Sequence, residues 1–212
     1  MERKNLTQTQ KEILIGILLG DGCLYKNKLG INYTLEYGQS LAHSKYFHHI
    51  YEIFSNHIQM KPYKKKNGWR FRTRVHSDFT YFANLFYQPE KKIPQDIEKL
   101  LTPRSLAYWY MDDGSMKSVQ SKGLIFNTHC FSFDDVTLLC SILNNKFGLK
   151  TWPRLQRHKN KTTKRVKTYY QIYISGYSYE KARNLMYPFF LPDMLYKFPK
   201  QRKSNSRFNK IA

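Results

Sequence analysis

Two short apolar runs, each closed by aspartate and glycine, constrain this chain more than any other feature. The first is Leu14-Ile15-Gly16-Ile17-Leu18-Leu19-Gly20-Asp21-Gly22, and the second is Leu106-Ala107-Tyr108-Trp109-Tyr110-Met111-Asp112-Asp113-Gly114. Runs of this length are too short to span a bilayer and too continuous for a surface helix, which carries a polar face at the 3.6-residue period. Each is therefore expected to form a helix buried on all sides that delivers one carboxylate. Glycine directly after the aspartate suits the left-handed position that closes a helix. That places Asp21 and Asp113 at helix C-termini, where backbone carbonyls already make the potential negative. Two carboxylates brought together there conflict. A divalent cation removes the conflict, and magnesium prefers carboxylate, carbonyl and water oxygens.

A repeated motif in 212 residues favours two small, closely joined cores over one large one. The formal charge of +21 exceeds what solubility needs and implies a large anionic partner, with nucleic acid first in line. No stretch approaches the roughly 20 apolar residues of a membrane span, so no membrane partner is expected. The basic start Met1-Glu2-Arg3-Lys4 before an apolar run superficially resembles a signal peptide, but Asp21 stands where a cleavage site needs small residues. Cys23, Cys130 and Cys140 match neither a disulfide framework nor a zinc pattern, and are expected to be buried structural thiols in a reducing compartment.

Between the motifs, periodicity predicts the order of elements. Thr7 or Thr9 caps the first helix, with Glu12 three residues after Thr9 in a capping-box pattern. A strand near Leu24 and a return strand over Tyr33–Gln39 follow, then a helix from about Lys45 to Ile58. Trp69, Phe71, Thr73 and Val75 alternate with Arg70, Arg72 and Arg74, so a strand there holds three guanidinium groups on one face. With Lys61, Lys64, Lys65, Lys66 and the turn Asn67-Gly68 before it, this reads as a hairpin with unpaired cationic charge.

A helix over 78–87, a short helix over 95–101, and Thr102-Pro103 opening the second motif helix complete the first half. The second half repeats the order. A strand spans Leu124–Cys130, and a serine-capped helix runs from Ser132 to Gly148. A second cationic hairpin carries Arg154, Arg157, Lys159, Lys161, Lys164, Arg165 and Lys167 ahead of the strand Tyr169–Ile174, and a last helix lies near 179–187.

Three landmarks thus recur in order: motif helix, cationic hairpin, and lysine before proline. Asp21 and Asp113 are separated by 92 residues. This is a tandem duplication, and it predicts a pseudo-dimer within one chain.

These motifs resemble those of the LAGLIDADG homing endonucleases, in the two-motif single-chain branch. Leu101-Thr102-Pro103 before the second motif, with Asn127-Thr128 and Tyr196-Lys197-Phe198-Pro199 after it, is similar to yeast mitochondrial intron-encoded members. The resemblance implies an α+β fold of two tandem αββαββα units over 1–98 and 99–199, with a basic tail over 200–212. The motif helices would pack together at a pseudo-two-fold axis. Antiparallel sheets would form a saddle for the DNA major groove, and Gly16 and Gly20 would face Tyr108 and Asp112 in an asymmetric interface.

By that resemblance Asp21 and Asp113 bind metal, with the adjoining Gly20 and Asp112 in the same set. The ion is Mg2+, with Mn2+ or Ca2+ able to substitute in binding, and two ions about 4 Å apart suit an in-line displacement. Lys197, just before proline, would stabilise charge at the phosphate. Its first-half partner is Lys91 by the lysine-residue-isoleucine-proline pattern or Lys92 by simple repeat alignment, with Lys91 favoured. Gln39 and His129 occupy matching places and would position water or phosphate, although a structural hydrogen bond is the competing reading. His43, His48, His49 and His57 lack metal-ligand spacing and read as solvated helix residues.

For recognition, Arg70, Arg72, Arg74, Arg154 and Arg157 are candidates for base contacts, and the hairpin lysines Lys64, Lys65, Lys66, Lys159, Lys161 and Lys167, with Arg165, for phosphates. The implied function is a monomeric endonuclease cutting both strands of a long asymmetric duplex site to leave 3′ overhangs, which promotes intron mobility. The alternative is a maturase that binds host intron RNA without cutting. An organellar location, mitochondrion or chloroplast, follows from family habit and from a composition suited to an AT-rich genome.

Overall fold

The computed structural model describes residues 4–26, 30–58, 60–87, 90–159, 162–163 and 165–199. Helix α1 (Gln8–Leu19) opens on Thr7, whose hydroxyl accepts from the Gln10 N–H while Gln10 Oε1 accepts from the Thr7 N–H. This reciprocal box satisfies two donors that a helix start leaves free. Glu12 is therefore not a cap partner; it accepts from Arg104 at 2.7 Å.

Strands β1 (Cys23–Lys26) and β2 (Tyr33–Ser40) lead to α2 (Ser44–Ile53), β3 (Tyr63–Lys65), β4 (Gly68–Arg72) and α3 (Ser77–Phe86). After the single turn α4 (Ile97–Leu100), the pattern repeats as α5 (Pro103–Asp113), β5 (Gly114–Met116), β6 (Leu124–Phe126), α6 (Phe133–Phe147), β7 (Thr151–Lys159), β8 (Val166–Ile174) and α7 (Tyr179–Met186). The sheets are antiparallel with corresponding orders, β1-β2-β4-β3 and β5-β6-β8-β7. The expected αββαββα unit is thus present twice.

Both motif helices are buried throughout their apolar runs, from Ile13 to Leu19 and from Ser105 to Met111. They pack on each other at backbone distance. A Cβ on Gly16 would lie 2.5 Å from the Ser105 carbonyl oxygen and 2.9 Å from Tyr108 Cβ, and one on Gly20 would lie 2.5 Å from Asp112 Cβ. The glycines are the reason the two helix ends converge.

The glycines after the aspartates have a different purpose from the expected one. Gly114 is extended, and among the described residues Gly148, which closes α6, is the glycine with positive φ, at 60°. What Gly22 and Gly114 provide is room. A Cβ would meet the Ile17 carbonyl oxygen at 2.9 Å in the first case and the Tyr110 carbonyl oxygen in the second.

The first cationic hairpin also turns one residue earlier than expected. Lys65 pairs with Gly68, so Lys66 and Asn67 form the loop, and Lys66 takes the left-handed conformation at φ 54°. Gly68 is a strand residue instead, because a Cβ there would lie 2.7 Å from the Gln39 carbonyl oxygen.

Cys140 is buried, but Cys23 and Cys130 are exposed. Cys23 alternates with the buried Leu24 along β1 and so faces outward. Of the four histidines read as solvated, one is buried and the other three are half-buried. His57 is buried against His76 and Phe79, His49 bonds Tyr108 Oη at 2.7 Å, and His48 bonds the Ser44 carbonyl at 2.7 Å. Among the described residues no helix is long and apolar enough to cross a membrane.

Candidate active site

The paired helices deliver two carboxylates to one place. Asp21 follows the end of α1 and Asp113 is the last residue of α5, so both stand against outward-pointing helix carbonyls. Burial, and then the charge of Asp21, push the Asp113 carboxyl up to about 7. Burial also raises Asp21, opposed by a donor from Gln39 and by the charges of Lys197 and Lys91. Each acid is thus held where its charged form is disfavoured without a cation.

Gln39, at the end of β2, is buried and donates through Nε2 to Asp21 Oδ2 at 2.5 Å. Its amide also lies 3.2 Å from Tyr37 Oη and 3.3 Å from Asp112 Oδ1.

Asp112 has a different setting from its neighbour. Its carboxylate accepts from Tyr37 Oη and Tyr46 Oη, both at 2.8 Å, and from the Asp21 N–H at 3.1 Å. Burial, then Asp21, holds its pKa well above the usual carboxylate range. The Asp112 side chain, expected in the metal set, is thus engaged by protein donors from β2, α2 and the residue after α1, with Oδ1 taking both tyrosine hydroxyls and Oδ2 the Asp21 N–H. Its carbonyl oxygen is occupied too, accepting from Lys197 Nζ at 2.8 Å.

Lys197 is buried and bonds the last-turn carbonyls of α5, with Tyr110 at 3.4 Å beside Asp112. Desolvation lowers its pKa against the pull of Asp112, Asp113 and Asp21. Lys91 is half-buried, and its charge reaches both Asp21 and Asp113; its Nζ stands 5.7 Å from the Phe131 ring centroid. Lys92 is exposed and gives its backbone N–H to Phe86. The geometry thus brings Lys91, and not Lys92, to the aspartates.

A divalent ion fits this donor set. No cluster of three or more His, Cys, Asp or Glu suited to a metal occurs among the described residues, so two carboxylates would leave the remaining positions to water and phosphate. That is the usual coordination of Mg2+ in phosphoryl-transfer sites.

The profile of the LAGLIDADG DNA endonuclease family matches residues 11–181, a span that includes both aspartates. The chain belongs to this family. A "Probable intron-encoded endonuclease 1" from Wickerhamomyces canadensis is 33% identical over 91% of this chain and 84% of its own length. The "Cytochrome b mRNA maturase bI2" of Saccharomyces cerevisiae is 28% identical over 87% of this chain, which spans 46% of that protein. Among solved structures, the homing endonuclease I-WcaI bound to its DNA recognition sequence superposes with a TM-score of 0.79 at 31% identity, covering 94% of this chain and 89% of that one. I-DmoI in complex with DNA and Ca shares the fold at a TM-score of 0.52 and 18% identity, over 91% of this chain and 98% of that one.

In this LAGLIDADG chain the described residues of the second half carry no copy of the Gln39 contact. By register Cys23 faces Glu36 and Gly114 faces Phe126, so Thr128 takes the place of Gln39. The Thr128 hydroxyl donates to the Tyr170 carbonyl at 2.7 Å. His129 points elsewhere, with its ring centroid 4.0 Å from that of Tyr169. Asn127, missed as a site residue, donates through Nδ2 to the Asp113 carbonyl at 2.8 Å and accepts from Gln171 Nε2 at 2.6 Å. The Asn127-Thr128 pair in the sequence was the available signal.

The cationic faces are partly as expected. Trp69 and Phe71 pack on Phe47 of α2, leaving Arg70 and Arg72 on the face away from the helices with Tyr63 and Lys65. These arginines are not unpaired: Glu36, opposite Arg72 across β2, lies 2.6 Å from Arg72 and 3.7 Å from Arg70. Arg74 lies beyond β4, and Lys64 stacks over Trp69 on the helix side at 5.0 Å.

In the second hairpin the alternation places Arg154 and Lys167 on the face of Trp152 and Tyr173. Arg157 and Lys159 fall on the opposite face with Leu155, because an odd spacing from Arg154 changes sides. Arg165 precedes β8 and is exposed, while Lys161 and Lys164 lie outside the described residues. An open groove of about 520 Å³ runs from Lys65, Lys66 and Arg70 past Gln39 to Asp21.

Proposed function

We propose that this protein is a Mg2+-dependent homing endonuclease that hydrolyses one phosphodiester in each strand of a long, asymmetric DNA duplex, leaving 3′ overhangs. One observation carries the reading: two packed helices, one from each repeat, bring Asp21 and Asp113 together between Lys91 and Lys197. Asp21 and Asp113 would hold the cation. When bound, it lowers the pKa of water toward neutrality and shields the phosphate's charge.

The chain's own groups do the remainder. Gln39 fixes the Asp21 carboxylate by direct donation. Lys91 offers a cation to the phosphate oxygens, and Lys197 holds the α5 terminus and offsets the negative field of its carbonyls. Gly20 lets the helix ends approach, and its carbonyl would join the two aspartates in holding the cation. Arg70, Arg72 and Arg154 face the duplex for base reading, while Lys65, Lys66, Lys167 and Arg165 bind phosphates. Both catalytic halves lie in one chain over 1–98 and 99–199, so the protein acts as a monomer. Names such as cytochrome b mRNA maturase among the relatives support an organellar origin.

The test is cleavage of a randomised duplex library with Mg2+ and with chelator, beside Asp21→Asn and Asp113→Asn. Selective double-strand cuts that require the ion and vanish in both variants are expected. A maturase reading is favoured by the bI2 relatives of two yeasts, at 28% and 27% identity. No DNA cleavage, with tight binding and splicing of the host intron RNA, would establish it instead.

A further inference from the structure

Asp21 ends a chain of hydrogen bonds that begins in the other half of the molecule. Tyr196 Oη lies 2.8 Å from His43 Nε2, His43 Nδ1 lies 3.2 Å from Gln39 Oε1, and Gln39 Nε2 donates to Asp21 at 2.5 Å. The proton positions follow from the groups. An amide oxygen only accepts, so Nδ1 carries the proton of the imidazole, and Nε2 is left to accept from the tyrosine hydroxyl. Burial and the nearby Lys197 charge lower the His43 pKa, so the ring is neutral at pH 7. Every donor therefore points toward Asp21.

The Asp21 and Asp112 carboxylates, which only accept, set which way the Gln39 amide faces, and His43 with its proton on Nδ1 supports that orientation. Turned over, it would set its own oxygen against Asp21 and Asp112 and its NH2 against the His43 N–H. Tyr196 belongs to the 3₁₀ segment Pro192–Lys197, directly before Lys197, and His43 immediately precedes α2 in the first half. The same segment is joined to α2 by Lys45–Asp193 at 3.1 Å, and the His43 and Tyr196 rings lie 6.2 Å apart at 27°. Among the described residues no side-chain donor reaches the Asp113 carboxylate in this way, since Thr128 is turned to Tyr170.

We propose that His43 and Tyr196 are positioning residues: they lock the Gln39 amide in its donating orientation, so that the strand cut served by Asp21 depends on a segment supplied by the opposite half. This rests on the endonuclease reading above. Loss of the chain frees Gln39 to turn over and slows one strand while the Asp113 strand is untouched, so nicked DNA accumulates.

The experiment is strand-resolved cleavage of a supercoiled plasmid bearing the target, with duplex affinity measured in parallel. Tyr196→Phe keeps the ring and its stacking and removes the hydroxyl; it should slow one strand roughly five- to tenfold, the loss of one hydrogen bond. Duplex affinity and the other strand should not change. His43→Asn, whose amide nitrogen replaces Nδ1, should retain more of that rate than His43→Leu. Lys45→Ala, which removes only the neighbouring ion pair, should show no strand bias.

Equal slowing of both strands, a weaker duplex affinity at unchanged rate, or the same bias in Lys45→Ala would each overturn the proposal. The last would show that docking of the segment is what matters. Wild-type protein that cuts neither strand would overturn the endonuclease reading, and this inference with it.

Discussion

Replacing Asp113 by asparagine should stabilise the metal-free protein while abolishing its activity, and the size of the effect follows from the site. The carboxyl is raised to about 7 from a free value of 3.8. A group whose folded pKa is raised contributes stability fully at pH below the free value, and that contribution is lost as pH rises through the folded value. Above pH 7 the folded state must therefore hold a charged Asp113 beside Asp21 and the α5 carbonyls. At about 1.4 kcal/mol per tenfold the interval corresponds to roughly 4 kcal/mol. Asp113 is only half-buried, so screening by solvent reduces this to about 2 kcal/mol.

Asparagine has nearly the same shape and no charge. Urea unfolding in EDTA should give equal stabilities at pH 3 and an Asp113→Asn variant about 2 kcal/mol more stable at pH 8. The comparison at each pH removes the effect of the other titrating groups in a chain of net charge +21. Adding Mg2+ should close the gap from the wild-type side, by about 1.4 kcal/mol for each tenfold of free ion above its dissociation constant. A variant no more stable than wild type at pH 8 would refute the reasoning, because the carboxylate would then be at ease without an ion.

Gly16→Ala would place a methyl 2.5 Å from the Ser105 carbonyl oxygen, and urea unfolding should reveal a loss of about 2–3 kcal/mol; an unchanged midpoint would mean the helices are not in backbone contact. Gly68→Ala presses on the Gln39 carbonyl at 2.7 Å, so the cleavage rate should fall roughly tenfold or more through misplacement of the Gln39 amide, with duplex affinity retained. Glu36→Gln frees Arg70 and Arg72 from their shared partner. Nonspecific duplex binding, measured across a salt series, should tighten with a slope steeper by about 1 as the positive charge of this face is released, and an unchanged slope would mean that Glu36 does not offset that charge at the duplex.

Much of the fold was legible because it depends on local period and on repetition. The continuous apolar runs specify buried helices, the arginine alternation specifies two strand faces, and the Ser132-Asp135 and Thr102-Pro103 patterns mark helix starts that the structure has in place. What escaped was anything set by register or by distant backbone. Gly22 and Gly114 look like residues chosen for left-handed φ, yet they are there because the Ile17 and Tyr110 carbonyls lie against them. Likewise, the cationic face seemed unpaired because Glu36 reaches Arg72 only through the β2–β4 register, 36 residues away in the chain.

The site divides along the same line. Asp21 and Asp113 could be read from the motif itself, but the setting of Asp112 could not, since its tyrosine donors come from 75 and 66 residues earlier. One sign was present: a carboxylate stands in the second helix where the first has Gly20, and a polar group in a buried interface needs partners. The consequence reaches the chemistry. Duplication gives the two halves the same backbone plan, but Asp21 receives a donor from Gln39 and, among the described residues, Asp113 receives none, so the two acids differ in charge balance. A pair so unequal should cut the two strands at unequal rates even on a symmetric target. The difference would originate in Gln39 against Thr128 and in Gly20 against Asp112, two pairs that occupy equivalent backbone sites with unlike side chains.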